Sequence, residues 1–340
     1  TYLYSNRSYW YPQSSVTDYA TATIRLTIPT RFGCVATGEL TGPPQQLTDG
    51  AGEPRKACVF RATRPARYLS FIVSRFATAD RDAVMFDAEG PGKDGTARDA
   101  TDALPSLDLA IEANPRQTGR GRELSPRAAD IIRFYQSVVG DSPYPSFTLA
   151  VVESLLPGGH SPPYFAQLNQ PLPYSPFVWR NDPAAFENYP EFFMAHEIAH
   201  QWWGHGVGWQ NYHEQWISEG FAQYFAALYA RHFRGDDTFD AVLRRMRKWA
   251  IDESSQGPVY LGYRIGHIRN DGRAFRAIVY NKGAMVLHML RQLVGDEVFF
   301  RGIQRFYVGA RFRKVGSEDF RVAMEMESGR SLQRFFERWV

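Results

Sequence analysis

The run Met194-Ala195-His196-Glu197-Ile198-Ala199-His200 places two histidines four residues apart, with a glutamate directly after the first. On an α-helix, positions i and i+4 share a face, so both imidazoles reach toward one point. Glu197 stands about 100° round the helix from His196, beside a bound ion rather than on it. A base acting on a metal-held water must stand there. Zinc lowers the pKa of such a water to about 7, within reach of a carboxylate. Five residues also match this pattern by chance, in an amphipathic helix with ordinary surface histidines, so a second element has to support it. Trp216-Ile217-Ser218-Glu219-Gly220-Phe221-Ala222-Gln223-Tyr224 begins another helical pattern and puts Glu219 after eighteen intervening residues past His200. Two antiparallel helices joined by that loop bring Glu219 to the same ion. Two neutral nitrogens, one carboxylate and an open fourth position are the ligand set of a catalytic zinc site, with one zinc ion per chain.

The elements that must position these residues follow from the rest of the chain. Its 340 residues are enough for two domains, and 44% apolar residues supply real cores. Two cysteines cannot build a disulfide scaffold or a cysteine-rich zinc cluster. A net charge of +3 is too small to argue for nucleic acid, and no apolar run approaches a membrane span. Residues 1–78 read as β, with Ala20–Pro29 alternating at period two and Arg67–Phe76 a second strand-like run. Short strands with frequent turns suggest a sandwich. Residues 87–106, rich in Gly, Asp, Ala and Pro, read as an exposed loop. Leu107–Ala113 and Phe147–Val152 read as strands. Pro126–Val139 reads as a helix capped by Ser125 with proline at its first position. From Pro190 helical patterns dominate. The expected class is α+β, with a partial β-sandwich domain at 1–78 and a catalytic domain at 79–340.

Cys34 and Cys58 fall on strands expected to be neighbours. A disulfide there would favour an extracytoplasmic compartment, and two buried free thiols are the alternative. The start at Thr1 rather than Met points to a processed or trimmed chain, so the natural N-terminus tells nothing of compartment.

The sequence resembles the M1 family of zinc aminopeptidases, of the gluzincin type. The resemblance rests on His196-Glu197-x-x-His200, eighteen residues, then Glu219, with the extensions Gln201-Trp202-Trp203-Gly204 and Trp216–Ala222. Further on, Ile278-Val279-Tyr280-Asn281-Lys282-Gly283-Ala284 resembles the family's Tyr-x-Lys-Gly-Ala segment. The resemblance implies a thermolysin-like catalytic domain, zinc held by His196, His200 and Glu219, Glu197 activating the water, and Tyr280 donating to the tetrahedral intermediate. A phenol aimed at that developing charge is stabilisation of the oxyanion-hole type. The resemblance also implies that earlier N-terminal strands and a helical C-terminal domain belong to typical members, so further domains are expected in a full-length protein.

One part of the family pattern is missing. Typical members carry Gly-x-Met-Glu-Asn on an edge strand, whose glutamate holds the free α-amine of the substrate. Here that region reads Leu156-Pro157-Gly158-Gly159-His160-Ser161-Pro162-Pro163-Tyr164-Phe165-Ala166-Gln167-Leu168-Asn169. One register puts Ser161 at the glutamate position and the other puts Leu168 there. The second amine reader of the family falls near Ser5 or Asn6, again without an acid. A buried ammonium needs a charged or well-placed polar partner. Asn6, Gly158, Gly159, His160, Gln167 and Asn169 are therefore the candidate substrate contacts.

The expected activity is zinc-dependent hydrolysis of peptide bonds, with release of N-terminal residues from a peptide substrate. An endopeptidase, or a peptidase for blocked N-termini, is the alternative within the same chemistry. A non-catalytic binding module on a peptidase fold is the alternative outside it. His205 and His213 read as polar contacts, since the ligand set is full without them, and Lys282 reads as structural or solvated.

Overall fold

Alternation along Ala20–Pro29 produces a strand (β2) that buries Ile24, Leu26 and Ile28 while Arg25 and Thr27 face solvent. The computed structural model to which it belongs describes residues 1–6, 8–13, 18–86, 104–153, 159–169, 182–183 and 189–340. The chain divides into two compact units, one of Thr1–Arg133 with Asp141–Pro171 and one of Phe134–Gly140 with Leu172–Val340. The 78/79 boundary read from the sequence falls inside a strand, Ala77–Met85.

The first unit is built from three sheets. A three-stranded antiparallel sheet has the order β1 (Tyr2–Tyr4), β7 (Phe71–Ser74), β3 (Gly33–Ala36). A second sheet centres on the long strand β6 (Pro54–Ala66), which pairs with β2, β4 (Glu39–Leu40) and β5 (Gln45–Thr48). Ile24, Leu26, Ile28, Cys58 and Phe60 from one sheet share a core with Ala36 and Val73 from the other, which makes these two sheets a sandwich. The third sheet is mixed, in the order β11 (Gly159–His160), β12 (Phe165–Asn169), β10 (Ser146–Val152), β9 (Ser106–Ala113), β8 (Ala77–Met85). Its Ala150, Val152 and Phe165 pack against Val35 and Ile72 of the three-stranded sheet.

Helix α1 runs from Thr118 to Val139 and carries Pro126 inside it. It therefore starts eight residues before the expected proline start. Of the glycines at 119 and 121, which look like breakers, Gly121 has a packing use: a Cβ there would lie 2.8 Å from that of Ala79 and 3.1 Å from Ile111 Cγ2, whereas one on Gly119 would meet nothing within 4 Å. The helix meets its sheet through a missing side chain, and that contact outweighs glycine's poor propensity.

Cys34 and Cys58 are free thiols. The two share one hydrogen bond, which pushes the Cys34 thiol up and draws the Cys58 thiol down. The free-thiol alternative is the one observed.

The second unit is helical. Its elements are α2 (Phe192–Ala199), α3 (Trp216–Arg234), α4 (Asp236–Asp252), the short α5 (Gly272–Phe275), α6 (Gly283–Val294), α7 (Asp296–Ala310), α8 (Ser317–Ser328) and α9 (Gln333–Trp339). Two short strands, β13 (Val207–Trp209) and β14 (Arg313–Val315), pair in parallel. Every residue of α2 is buried, and α3 is buried almost continuously from Trp216 to Ala230. A helix apolar on all sides belongs in a core. Rings of Phe221 and Phe225 from α3 lie 4.7 and 5.2 Å from that of Trp203, which ties α3 to the chain just past α2. No described helix is long and apolar enough to cross a membrane.

Candidate active site

The two histidines leave α2 at its C-terminal end, with His196 in the last turn and His200 as the residue that closes the helix. Their Nε2 atoms face one another at 3.1 Å. Glu219, in the first turn of α3, brings Oε2 to 3.5 Å from His196 Nε2 and 3.2 Å from His200 Nε2. Ligand bonds of 2.0–2.2 Å in a tetrahedral site separate the donor atoms by about 3.3–3.6 Å. The three observed separations, 3.1, 3.2 and 3.5 Å, lie within about 0.2 Å of that spacing.

Two further observations fit a cation here. Glu219 Oε2 is buried and accepts no hydrogen bond from the described residues, although a lone acceptor inside a protein is costly. His200 Nδ1 lies 3.0 Å from the carbonyl oxygen of Trp203 and 3.1 Å from Ser218 Oγ. A carbonyl only accepts, so Nδ1 carries the proton and Nε2 can present a lone pair to the shared point, the arrangement of a metal-ligating histidine with its outer partner. The residues present therefore fit zinc.

Electrostatics divide the roles. Burial draws the His196 imidazole down to about 4, against the pull of Glu219, so it stays neutral. Burial acts the same way on His200, but the Glu219 and Glu197 carboxylates outweigh it and raise its value, the same pull that favours a cation at the point the three ligands share. Burial opposes the charge of Glu219, yet the two imidazoles hold it well below the usual carboxylate range. Glu197 is pushed up to about 7, first by burial, with the nearby His200 charge opposing. It lies next to the three-ligand group without belonging to it. A carboxyl that both takes and gives protons near neutrality suits general acid–base work.

Tyr280 arrives from a different element, the π-helical segment Arg276–Lys282 that precedes α6. Such wide turns gather at functional sites because they re-aim a side chain relative to the regular helix. The phenol ring stacks on His196, with centroids 5.7 Å apart and planes at 11°. Burial and the Glu219 charge hold its hydroxyl well above its ordinary value, so it remains a hydrogen-bond donor at neutral pH.

Two details of the sequence that carried no assigned role turn out to place Tyr280. Gly220 on α3 and Gly283 at the start of α6 meet backbone to backbone: a Cβ on Gly220 would lie 3.1 Å from Gly283 Cα and 3.2 Å from the Val279 carbonyl oxygen. Gln223, one turn past Glu219, donates to Asn281 Oδ1 at 2.9 Å, and both side chains are fully buried. The glycine contact and the amide pair join the ligand helix to the tyrosine segment on either side of the chemistry. Changing Gly220 to alanine is expected to lower stability by about 1–3 kcal/mol, measured by denaturant unfolding of the zinc-loaded chain. An unchanged midpoint would show that the two backbones can separate without cost.

Lys282 is structural, donating to the Gly257 carbonyl oxygen at 2.9 Å. His213 bonds the Tyr260 carbonyl through Nδ1 at 2.8 Å, as a polar contact. His205 is buried and lies outside the three-ligand group.

The substrate-contact candidates Asn6, Gly159, His160, Gln167 and Asn169 all fall in the first unit, and Gly158 lies outside the described residues. Ser5 links two of them. Its Oγ lies 2.7 Å from His160 Nε2 and donates to Asn6 Oδ1 at 3.3 Å. Ser5 also accepts from Ser70 at 2.9 Å. His160 pairs with Gln167 across β11 and β12, and Gln167 Nε2 donates to Asn169 Oδ1 at 2.5 Å. The sequence marks Ser5 only as a place where an acid is missing. Its bridging role depends on a fold that closes 155 residues of chain separation.

Comparison with known proteins gives the same direction. The profile described as "Peptidase family M1 domain" matches residues 186–339. Aminopeptidase M1 of Arabidopsis thaliana is 28% identical over 157 residues, which are 43% of this chain and 17% of that protein. Aminopeptidase N of Streptomyces lividans is 30% identical over 153 residues, 43% of this chain and 18% of that protein. The chain thus spans under a fifth of the length of these curated relatives. In three dimensions it is similar to a mutant of the M1 zinc metallopeptidase of Deinococcus radiodurans, solved with a Tyr-Ser-Ala substrate. The TM-score is 0.66 at 20% identity, over 96% of this chain and 64% of that one. That likeness establishes a shared α+β fold.

Proposed function

We propose that the chain, a member of peptidase family M1 by its residues 186–339, hydrolyses peptide bonds with one zinc ion and releases residues from peptide N-termini. The observation that carries the reading is the convergence of His196 Nε2, His200 Nε2 and Glu219 Oε2 on one point, with Glu197 and Tyr280 beside it. When bound, zinc supplies polarisation of the scissile carbonyl and acidification of a water. His196, His200 and Glu219 hold the ion, and the His200–Trp203 bond fixes the ring that reaches it. Glu197 takes a proton from the attacking water on its carboxylate and delivers it to the leaving amine. The Tyr280 hydroxyl donates to the oxygen that becomes negative as the tetrahedral intermediate forms. The peptide bound in the Deinococcus radiodurans relative supports a peptide as the substrate class.

Peptides with blocked N-termini, or internal bonds, form the second reading. It is favoured by the uncharged set Ser5, Asn6, His160, Ser161, Gln167 and Asn169 where the family resemblance expects an amine-binding acid. Neutral donors and acceptors suit an amide as well as an ammonium. A peptide-library digest with and without chelator, its products read by mass, tests both. Loss of single N-terminal residues, abolished by chelator, is the expected result. Cleavage that persists in metal-stripped protein would overturn the zinc reading. Faster cleavage of N-acetylated than of free peptides is the outcome that would transfer the assignment to the second reading.

A further inference from the structure

We propose that Arg276 is a positioning residue for Tyr280: its guanidinium, held by Asp182, fixes and polarises the phenol that donates to the reacting oxygen. The proposal rests on the role given to Tyr280 above. The Tyr-x-Lys-Gly-Ala resemblance does not reach back to position 276.

The geometry is specific. Arg276 opens the π-helical segment that carries Tyr280. Its Cζ stands 4.8 Å from the centroid of the Tyr280 ring. Its Nε donates to Asp182 Oδ2, and its Nη2 donates to Asp182 Oδ1 at 3.1 Å. The Asp182 side chain is 1% exposed and that of Arg276 17%. The fork is thus a bidentate pair in a nearly dry place, where such a pair is geometrically strict. The Arg276 carbonyl accepts from Asn281 Nδ2 at 3.4 Å, so the residue after Tyr280 is tied to the same anchor. The Tyr280 ring meets the Phe275 edge at 5.9 Å as well as the His196 face. Three groups on three elements, Arg276, Phe275 of α5 and His196 of α2, therefore pack against the ring and set its orientation.

A buried arginine near a reaction centre has a second conceivable use, as a receptor for a carboxylate of the substrate. The bidentate pair argues against it. Two of the donors that would clamp a substrate acid are spent on Asp182. What remains is the field of the guanidinium on the π-face of the phenol. A cation there stabilises the partial negative charge that the phenol oxygen takes on as it donates, so it makes the hydroxyl a stronger donor to a developing negative charge. The ion pair also removes rotamer freedom that the ring would otherwise have.

The test is a double-mutant cycle on the zinc-loaded protein with Arg276→Met, Tyr280→Phe and the double variant. Arg276→Met is expected to lower kcat about 10-fold with KM nearly unchanged. It is also expected to weaken binding of a phosphinic pseudodipeptide, which mimics the tetrahedral species, about 10-fold, read by calorimetry. In the Tyr280→Phe background the same substitution is expected to change either quantity by less than about twofold. Arg276→Lys keeps the charge without the fork, and partial recovery is expected. Equal losses in both backgrounds would overturn the proposal, because the residue would then act without Tyr280. A loss confined to peptides with acidic side chains would overturn it in favour of a substrate-carboxylate receptor. If Tyr280→Phe alone leaves kcat intact, the reading of Tyr280 fails first and this proposal falls with it. Should Arg276→Met not fold, Arg276→Lys and Asp182→Asn carry the same cycle, with zinc content measured on each.

Discussion

Replacing Glu197 with glutamine lowers kcat by about 10²–10⁴-fold, while zinc content stays at one ion per chain. The two halves of this result have separate causes. Glu197 is not among the three residues whose donor atoms converge, so its loss leaves the ligand set whole. Glutamine has the same shape, and the position is buried, so the packing around α2 is kept. Burial already disfavours a charged group there, and a neutral amide is not penalised by its surroundings. What the amide cannot do is accept a proton from water and hand it to a leaving amine. Metal analysis and peptide turnover on one preparation check both halves. A glutamine variant with full activity would sink the assignment. A variant without zinc would show instead that Glu197 supports the ligand site. Wild-type protein that binds no zinc after careful purification would revive the non-catalytic binding module.

The residues whose donor atoms converge were legible because their constraint is local. His196, Glu197 and His200 sit within one helical turn, and helix geometry alone puts both imidazoles on one face. Glu219 needed only a second helix and a loop. Strands of the first unit were legible where one face is buried: Ile24, Leu26 and Ile28 alternate as Ala20–Pro29 predicts. The reading failed where tertiary contact overrides local preference. Helix α1 extends past two glycines and a proline because Gly121 closes on Ala79, and nothing within the helix signals that contact. The Gly220–Gly283 contact and the Gln223–Asn281 pair are of the same kind, since each partner acquires meaning only from the other. The π-helical turn at Arg276–Lys282 has no period that distinguishes it from the helical pattern that dominates after Pro190. Arg276 was invisible for a further reason: its partner Asp182 lies 94 residues away.

Replacing Tyr280 with phenylalanine lowers kcat by about 10²–10³-fold, with little change in KM or in zinc content. The phenol hydroxyl is absent from the three-ligand group, so the ion does not depend on it. The ring keeps its stack on His196 and its edge contact with Phe275, because phenylalanine offers the same faces. Only one O–H donor is removed. In the free protein that donor stands against Glu219, and burial keeps it protonated. Its value is therefore realised when negative charge develops on the substrate oxygen. An interaction made chiefly in the transition state appears in kcat and not in KM. A variant that raised KM at constant kcat would recast Tyr280 as a ground-state contact. A variant with unchanged kcat and KM would remove it from the reaction. Retention of zinc matters as much as the rate, because a phenylalanine variant that lost the ion would mean that the His196 stack, not the hydroxyl, is what the position supplies.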